Sequence, residues 1–474
     1  MTRHRRTIHA LGGPVVFLLL AVIPLPGTPY PVRCSIGLLV WMAWWWMAEP
    51  VHLAITAFLP VIVPALAAFA RVETIMPAYA EPLVFLLLGA NMLATLWRRW
   101  GLDRRIALVS LMGIGTSTRR QIVIWFMAAA VLSSVLPNAV VAASMMPVVV
   151  AMVRFIGIED ARKSAFASAL LIAVAWGTSV GGSGTPLGGA HNLLAVQFIE
   201  RQLVTHEFLF TTWVMRLLPP TIVVAVASAA FMRWALVPEL EHVDGSRAYF
   251  AQELRTLGAM SVPERWGLAL FGLAMLIAFT RQLYATLLPG LTPTLAFLTV
   301  AILSFAIRYK GVALLEWEYA EKHMVWGLIY LFAGGSALGQ VLSDTGTANF
   351  VADRMVPLAA GGGLLAVAVF SMLTIVITQI TSNTATVAIV VPITISTFQG
   401  LGLNPIPFVY IVTLAANYGI MLPSSSAGPA IAAGYGVNLR TMMSVGFWLS
   451  ALIWLLLVVM GYVLVRFWPG FGVA

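Results

Sequence analysis

The sequence predicts an all-α protein that crosses a membrane many times and consists of two related halves. Three observations carry this. The 474 residues are 60% hydrophobic and only 9% charged, too little charge to cover a soluble protein of this length. Apolar runs of about 20 residues, enough to cross a hydrocarbon core of about 30 Å, recur along the chain. A pattern of polar and helix-breaking residues in the first half returns in the second.

Taken in order, Arg3, Arg5 and Arg6 precede an apolar stretch from Leu11 to Pro24 that imitates a secretory signal. No small-x-small cleavage site follows it, so it is read as a retained first helix. Positive charge before a first span is held on the inner side, which places the N-terminus in the cytoplasm. Pro24, Pro26, Pro29 and Pro31 mark a loop. The next run, Ser35 to Phe69, is too long for one crossing, and Glu49-Pro50 divides it. Further runs cover about 82–97, 121–156, 165–199, 214–237, 266–288 and 293–307, then 324–342, 360–398, 406–434 and 443–468.

The sustained polar stretch runs from Pro238 to Arg265 and reads as an aqueous, partly helical connector. It divides the chain into membrane halves 1–237 and 266–474. The net charge of +9 is mostly arginine, with pairs such as Arg98-Arg99, Arg104-Arg105 and Arg119-Arg120 at run ends. Such pairs anchor helix ends at lipid headgroups, whereas a nucleic-acid surface would gather them on a soluble domain. Trp44, Trp45 and Trp46 fit an interfacial belt or a helix contact.

The repeat is the strongest architectural signal. Ser133–Pro147 (SSVLPNAVVAASMMP) and Thr378–Pro392 (TQITSNTATVAIVVP) align at a shift of 245 residues. Ser133 then falls on Thr378, Asn138 on Asn383, Pro147 on Pro392 and Gly89 on Gly334. A second polar break follows in each half, in WGTSVGGSGTPLGGAHN from Trp176 and NYGIMLPSSSAGP from Asn417. The repeats cover about 81–199 and 324–434. Paired interruptions in corresponding halves point to a central transport site, and the transporter analogy sets the two copies in inverted sense.

A helix broken inside a membrane exposes amides and carbonyls, each costing several kcal/mol unless satisfied. Carbonyls and hydroxyls at such a break hold a hard cation, while helix N-termini hold an anion. The segment Thr378 to Thr384 concentrates uncharged oxygens and suits an exchangeable cation beside an anionic substrate. Other chemistries lack apparatus. Cys34 is the only cysteine, the histidines are scattered with no His-Glu-x-x-His pattern, and GIEDARKS from Gly157 carries Arg162 where a nucleotide loop needs glycine. No enzyme, organic cofactor or further metal is expected.

The segment SNTATVAIVVP from Ser382 resembles the Ser-Asn-Thr signature of the divalent anion/Na⁺ symporter family of the ion transporter superfamily. Thr178–Asn192 (TSVGGSGTPLGGAHN) and MLPSSSAGP from Met421 resemble that family's two glycine-rich stretches. The resemblance implies two inverted repeats, each with a re-entrant hairpin and a broken helix, and about eleven transmembrane helices. It implies an elevator movement, a homodimer, and Na⁺-coupled symport of a small anion, a di- or monocarboxylate, across a bacterial plasma membrane. One Na⁺ site would use Ser133, Asn138 and the backbone near Gly188. The other would use Thr378, Thr381, Asn383 and the backbone near Ser425. The substrate would meet Asn138, Gly189, His191, Ser382, Asn383, Thr384 and Ser426.

The first copy departs from the signature, having Pro137-Asn138-Ala139 in place of Ser-Asn-Thr. Pro137 and Ala139 remove two hydroxyls and an amide donor. This leaves open a proton-coupled or uncoupled exchanger or channel for an inorganic oxyanion on the same fold. His191 stands where the family has proline, and a protonated imidazole there would restore positive charge beside the substrate. His52, near Glu49-Pro50, reads as a helix boundary.

Overall fold

The computed structural model describes residues 3–48, 50–113, 115–158, 163–359 and 363–473, so Glu49 and Arg162 lie outside it. Among the described residues the strands are one antiparallel two-residue pair, Arg308–Tyr309 with Val312–Ala313; helices form the rest of the regular structure.

The first two helices, Arg3–Val22 and Tyr30–Ala48, are separated by the proline loop. They pack closely because Gly12 and Gly13 leave room for the rings of Trp44 and Trp41. The Trp44 and Trp45 indoles donate to the His9 and Ala10 carbonyls at 3.0 and 3.1 Å, so these two tryptophans serve a helix contact. The chain then turns through short helices at Leu53–Thr56 and Leu59–Ala67. His52 caps the first of these, its Nδ1 accepting from the Ala54 amide at 3.2 Å.

Four of the long apolar runs resolve into pairs of helices. The first hairpin comprises Thr118–Ser133 and Asn138–Phe155, and the second Leu364–Ile380 and Asn383–Gly400. The returning arms are displaced by 245 residues at both ends, the shift read from sequence. The first broken helix is Ala165–Gly181, a 3₁₀ turn at Pro186–Gly188, then Ala190–Gln202; the second is Ile406–Asn417 followed by Ala427–Gly434. Each repeat is led by a longer helix, Pro82–Trp100 and Trp326–Asp344.

Small residues set the distances between these parts, as they do where helices associate in lipid. Gly177 and Gly181, one turn apart, face the Phe126 and Ala130 carbonyls, and a Cβ at either would collide with them. Gly89 and Gly334 press the two leading helices against neighbours outside the repeats. A Cβ at Gly89 would lie 2.8 Å from the Leu298 amide, and one at Gly334 2.5 Å from the Ala57 Cβ.

The polar segment contains the helix Ser246–Leu257 and pairs its start with the foot of the first hairpin, Val243 donating to the Thr116 carbonyl at 2.8 Å. Here one expectation is corrected. Arg105 does not serve headgroups: it is buried against Glu264 at 2.6 Å with the Gly258 carbonyl at 2.9 Å, while its neighbour Arg104 stays exposed and pairs with Glu253. Arg99 pairs with Glu316 at 2.7 Å, and Arg98 donates to the His323 carbonyl. A guanidinium paired with protein carboxylates and carbonyls directs donors there rather than to headgroups. Arg119 and Arg120 are exposed, as headgroup anchors require. The run 266–288 is also not one helix. It ends at Phe279, because buried Arg281 turns to Glu207 at 2.9 Å and to the Leu288 and Pro289 carbonyls.

Candidate functional site

Both hairpin tips and both helix breaks meet at a cavity of about 640 Å³. Asn138 and Ala139 of the first tip line it, as do Ser382, Asn383 and Thr384 of the second. His191 and Ser424–Ser426 come from the breaks, and His52 with Met324–Gly327 from outside the hairpins. No Lys, Arg, Asp or Glu is among the lining residues, so an anion there would be held by dipoles and neutral donors.

Those donors come from the returning arms. Each 18-residue arm begins at the cavity, and the amides of its first two residues, Asn138 and Ala139 or Asn383 and Thr384, have no partner among the described residues. The next amides are used locally: Val140 and Val141 donate to the Pro137 carbonyl, and Ala385 and Thr386 to Ser382 Oγ and O. Ser382 thus caps its helix with a side chain, which Pro137 cannot do.

Below the second tip lies a cluster of oxygens. Thr378 Oγ1 donates to the Ala416 carbonyl at 2.7 Å, tying the hairpin to the end of the broken helix. One atom of the Asn383 amide sits 3.0 Å from both Thr378 Oγ1 and the Ala416 carbonyl and 3.1 Å from the Ser425 carbonyl. With nitrogen at that position the amide donates into the carbonyls. With oxygen there, four oxygens converge, a donor set that fits a hard monovalent cation. Thr381 is not part of this group; its hydroxyl engages the Ile377 carbonyl and Thr386 Oγ1 within the hairpin.

The first half repeats one of these bonds and alters the rest. Ser133 Oγ donates to the Thr178 carbonyl at 2.8 Å, the counterpart of Thr378 on Ala416. Gly188 lies against the Gly182 and Ser133 carbonyls, where a Cβ would collide. The Gly182 and Thr185 carbonyls, however, accept from the Asn192 amide at 2.7 and 2.9 Å. The Asn138 side chain takes no part and has no partner among the described residues while it lines the cavity.

His191 bridges the halves. Its Nε2 lies 2.6 Å from Asn417 Oδ1, and Asn417 Nδ2 donates to Asn192 Oδ1 at 3.1 Å and to the Thr413 carbonyl at 3.0 Å. Asn417 Oδ1 can only accept, so Nε2 carries the proton. Gly189 makes room for the ring: a Cβ there would overlap it. Ser426 also crosses between halves, 3.2 Å from Ser179 Oγ, and donates to the Gly419 carbonyl.

Sequence reasoning missed Asn192 and Asn417, which hold the breaks together, and counted Gln379 among oxygens for a cation when it serves the second break. Gln379 Oε1 accepts from the Ile420 and Met421 amides at 3.0 Å each, and its Nε2 donates to the Tyr418 carbonyl at 2.9 Å. The available signal was an amide side chain inside an apolar run beside a predicted break.

The family profile described as the sodium:sulfate symporter transmembrane region matches residues 5–471. The sodium-dependent dicarboxylate transporter SdcS of Staphylococcus aureus is 28% identical over 467 residues, covering 95% of this chain and 89% of that protein. Among solved structures, the YdaH transporter of Alcanivorax borkumensis has a TM-score of 0.55 at 15% identity, covering 93% of this chain and 100% of its own. MtrF of Neisseria gonorrhoeae, titled among antimetabolite efflux pumps, has a TM-score of 0.55 at 14% identity, covering 94% and 96%. These two likenesses concern the fold alone. With a match over nearly its full length, the chain belongs to the divalent anion:Na⁺ symporter family, and is a multi-pass membrane transporter rather than an enzyme.

Proposed function

We propose that this protein is a Na⁺-coupled symporter of a small di- or monocarboxylate, working by elevator-type alternating access. One observation carries the reading: Asn383 lines the cavity and at the same time reaches the oxygens of Thr378, Ala416 and Ser425. A single amide then serves both ligands. With Na⁺ among those oxygens, Oδ1 completes the shell and the –NH₂ is turned out, available to a carboxylate. Without Na⁺, the –NH₂ donates inward, and its donors are lost to the substrate.

The anion's remaining partners are the free amides at both tips, Ser382, Thr384, Ser426, the backbone at Gly189 and the Asn138 side chain. Na⁺ in the first half would use Ser133, Asn138 and Gly188. The two repeats move as the carrier, the other helices form the scaffold of a homodimer, and the polar segment 238–265 joins the halves 1–237 and 266–474. The N-terminus lies in the cytoplasm of a bacterial plasma membrane. A second reading, proton-coupled or uncoupled exchange of an inorganic oxyanion, draws on Pro137 and Ala139, which weaken the first tip.

The test is uptake of labelled succinate, malate and sulfate into proteoliposomes under an inward Na⁺ gradient, with K⁺ as control. Succinate or malate uptake accelerated by Na⁺ is expected. Equal rates in Na⁺ and K⁺ would refute the coupling, and sulfate uptake driven by pH alone would favour the second reading.

A further inference from the structure

We infer that His52 is a substrate-contacting residue, supplying from outside both repeats a side-chain hydrogen-bond donor where the first tip has fewer than the second. The inference rests on the proposed transport of a carboxylate and concerns how its second polar end is held.

His52 lines the same cavity as Ser382–Thr384 and Asn138, although it belongs to the segment between the second helix and Leu53–Thr56. Its ring is chemically defined by its cap. Nδ1 accepts the Ala54 amide at 3.2 Å, so that nitrogen offers a lone pair and the proton resides on Nε2. Nε2–H has no protein acceptor among the described residues, and the side chain is exposed to the cavity. Gly327 gives the ring its place: a Cβ there would stand 2.9 Å from His52 Cε1 and 3.7 Å from Nε2. The other histidine of the wall, His191, is engaged at Nε2 by Asn417.

The cavity needs such a donor. Both tips offer free backbone amides, but the second adds the side chains of Ser382, Asn383 and Thr384, whereas the first adds only that of Asn138, between a proline and an alanine. A substrate with two polar ends seats one on the second tip and finds fewer side-chain donors at the first. A neutral N–H elsewhere on the cavity wall donates to a carboxylate or carbonyl oxygen there without a net charge that would trap it. Because His52 lies outside the hairpins and broken helices, an elevator movement would leave it behind and release that end of the anion.

The experiment compares His52→Asn with the wild type, using Na⁺-dependent thermal stabilisation of purified protein by succinate, butyrate and sulfate. Asparagine keeps a side-chain acceptor for the Ala54 amide and so the cap, but its –NH₂, on a shorter side chain, does not reach where the ring's Nε2–H stands. His52→Ala loses both, which separates the cap's effect on melting temperature from the effect on binding. The expected result is an apparent Kd for succinate raised about tenfold in both variants, the loss of one hydrogen bond to a charged group, with butyrate unchanged. Succinate and butyrate weakened equally, or neither weakened, would overturn the role. Should the wild type answer to sulfate alone, the carboxylate reading fails. His52 then stands if His52→Asn weakens sulfate, and falls if it does not.

Discussion

The two hairpin tips derive from one repeated plan and now differ in what satisfies them. In both, a hydroxyl of the outgoing arm donates to the last carbonyl region of the broken helix: Ser133 to Thr178, Thr378 to Ala416. Beyond that bond they diverge. The first break is stitched by Asn192, from its own broken helix, onto the Gly182 and Thr185 carbonyls. The second is stitched from the hairpin by Gln379, and the Asn383 amide is left among oxygens. Where Asn192 would recur, the second half has Pro429, which offers no side-chain donor. The difference teaches that a repeat can keep its geometry while one copy satisfies its break carbonyls with its own asparagine and the other leaves an amide among converging oxygens.

Removing the two equivalent asparagines tests this asymmetry most severely. Asn383→Ala should lower Na⁺-driven uptake by about 100-fold or more, since in the proposed function it removes both a cation ligand and a substrate donor, the latter alone a charged hydrogen bond of about 1.5–3 kcal/mol. Asn138→Ala, whose side chain has no protein partner among the described residues, should cost about tenfold, the loss of one such bond. Uptake in proteoliposomes, normalised to folded protein by gel filtration, measures both. Equal losses would erase the proposed asymmetry.

The stitching residues come next. Gln379→Leu leaves the buried Ile420 amide and the part-buried Met421 amide without their acceptor, a cost of about 1–3 kcal/mol for a buried group so orphaned, and should lower the melting temperature distinctly. Its counterpart Ser134 has a hydroxyl that only bonds the Val131 carbonyl in its own helix, so Ser134→Ala should leave melting nearly unchanged. Comparable losses in the two variants would show that the second break does not depend on its glutamine.

Much of this was legible in the sequence because the repeat preserves polar residues in apolar surroundings. The shift of 245 residues located both hairpins and fixed the pairing of Ser133 with Thr378, since a hydroxyl or asparagine in a lipid-like run has few reasons to be there. The arginine pairs misled, because one-dimensional charge cannot reveal that Glu253 and Glu264 fold back onto Arg104 and Arg105. The link between Asn192 and Asn417 was hidden for a related reason: it joins residues 225 positions apart, across the two halves. His52 was legible as a helix boundary and not as part of the cavity wall, which forms only when Met324–Gly327 arrives beside it.

Restoring the lost signature sharpens the comparison from the other side. Pro137→Ser with Ala139→Thr returns a side-chain cap to the first returning arm, worth about 1 kcal/mol to helix stability, and a hydroxyl to the cavity. Na⁺ dependence of uptake should become steeper, with the Hill coefficient rising, and succinate affinity should improve about threefold. An unchanged Hill coefficient with transport retained would mean that backbone oxygens already complete the first site, Asn192 notwithstanding.

The smallest effect is expected at His191, and its form matters more than its size. The imidazole lines the cavity, but its Nε2–H is directed to Asn417 Oδ1, and through Asn417 to Asn192 and the first break. Its main service is then to hold the two broken helices in register, a task for a hydrogen-bond donor rather than for a titrating group. Glutamine can donate from its amide to the same oxygen, at a different reach, so His191→Gln should reduce uptake only about threefold, a fraction of one hydrogen bond. The reduction should be the same factor at every pH from 5.5 to 8.5, giving parallel profiles on a logarithmic scale. If instead a protonated imidazole helps to hold the anion, wild-type uptake falls as pH rises through the histidine's titration, and His191→Gln flattens that slope because glutamine carries no proton to lose. A flattened profile would move His191 from the joint between the halves into the binding site, and with it a proton into the transport cycle.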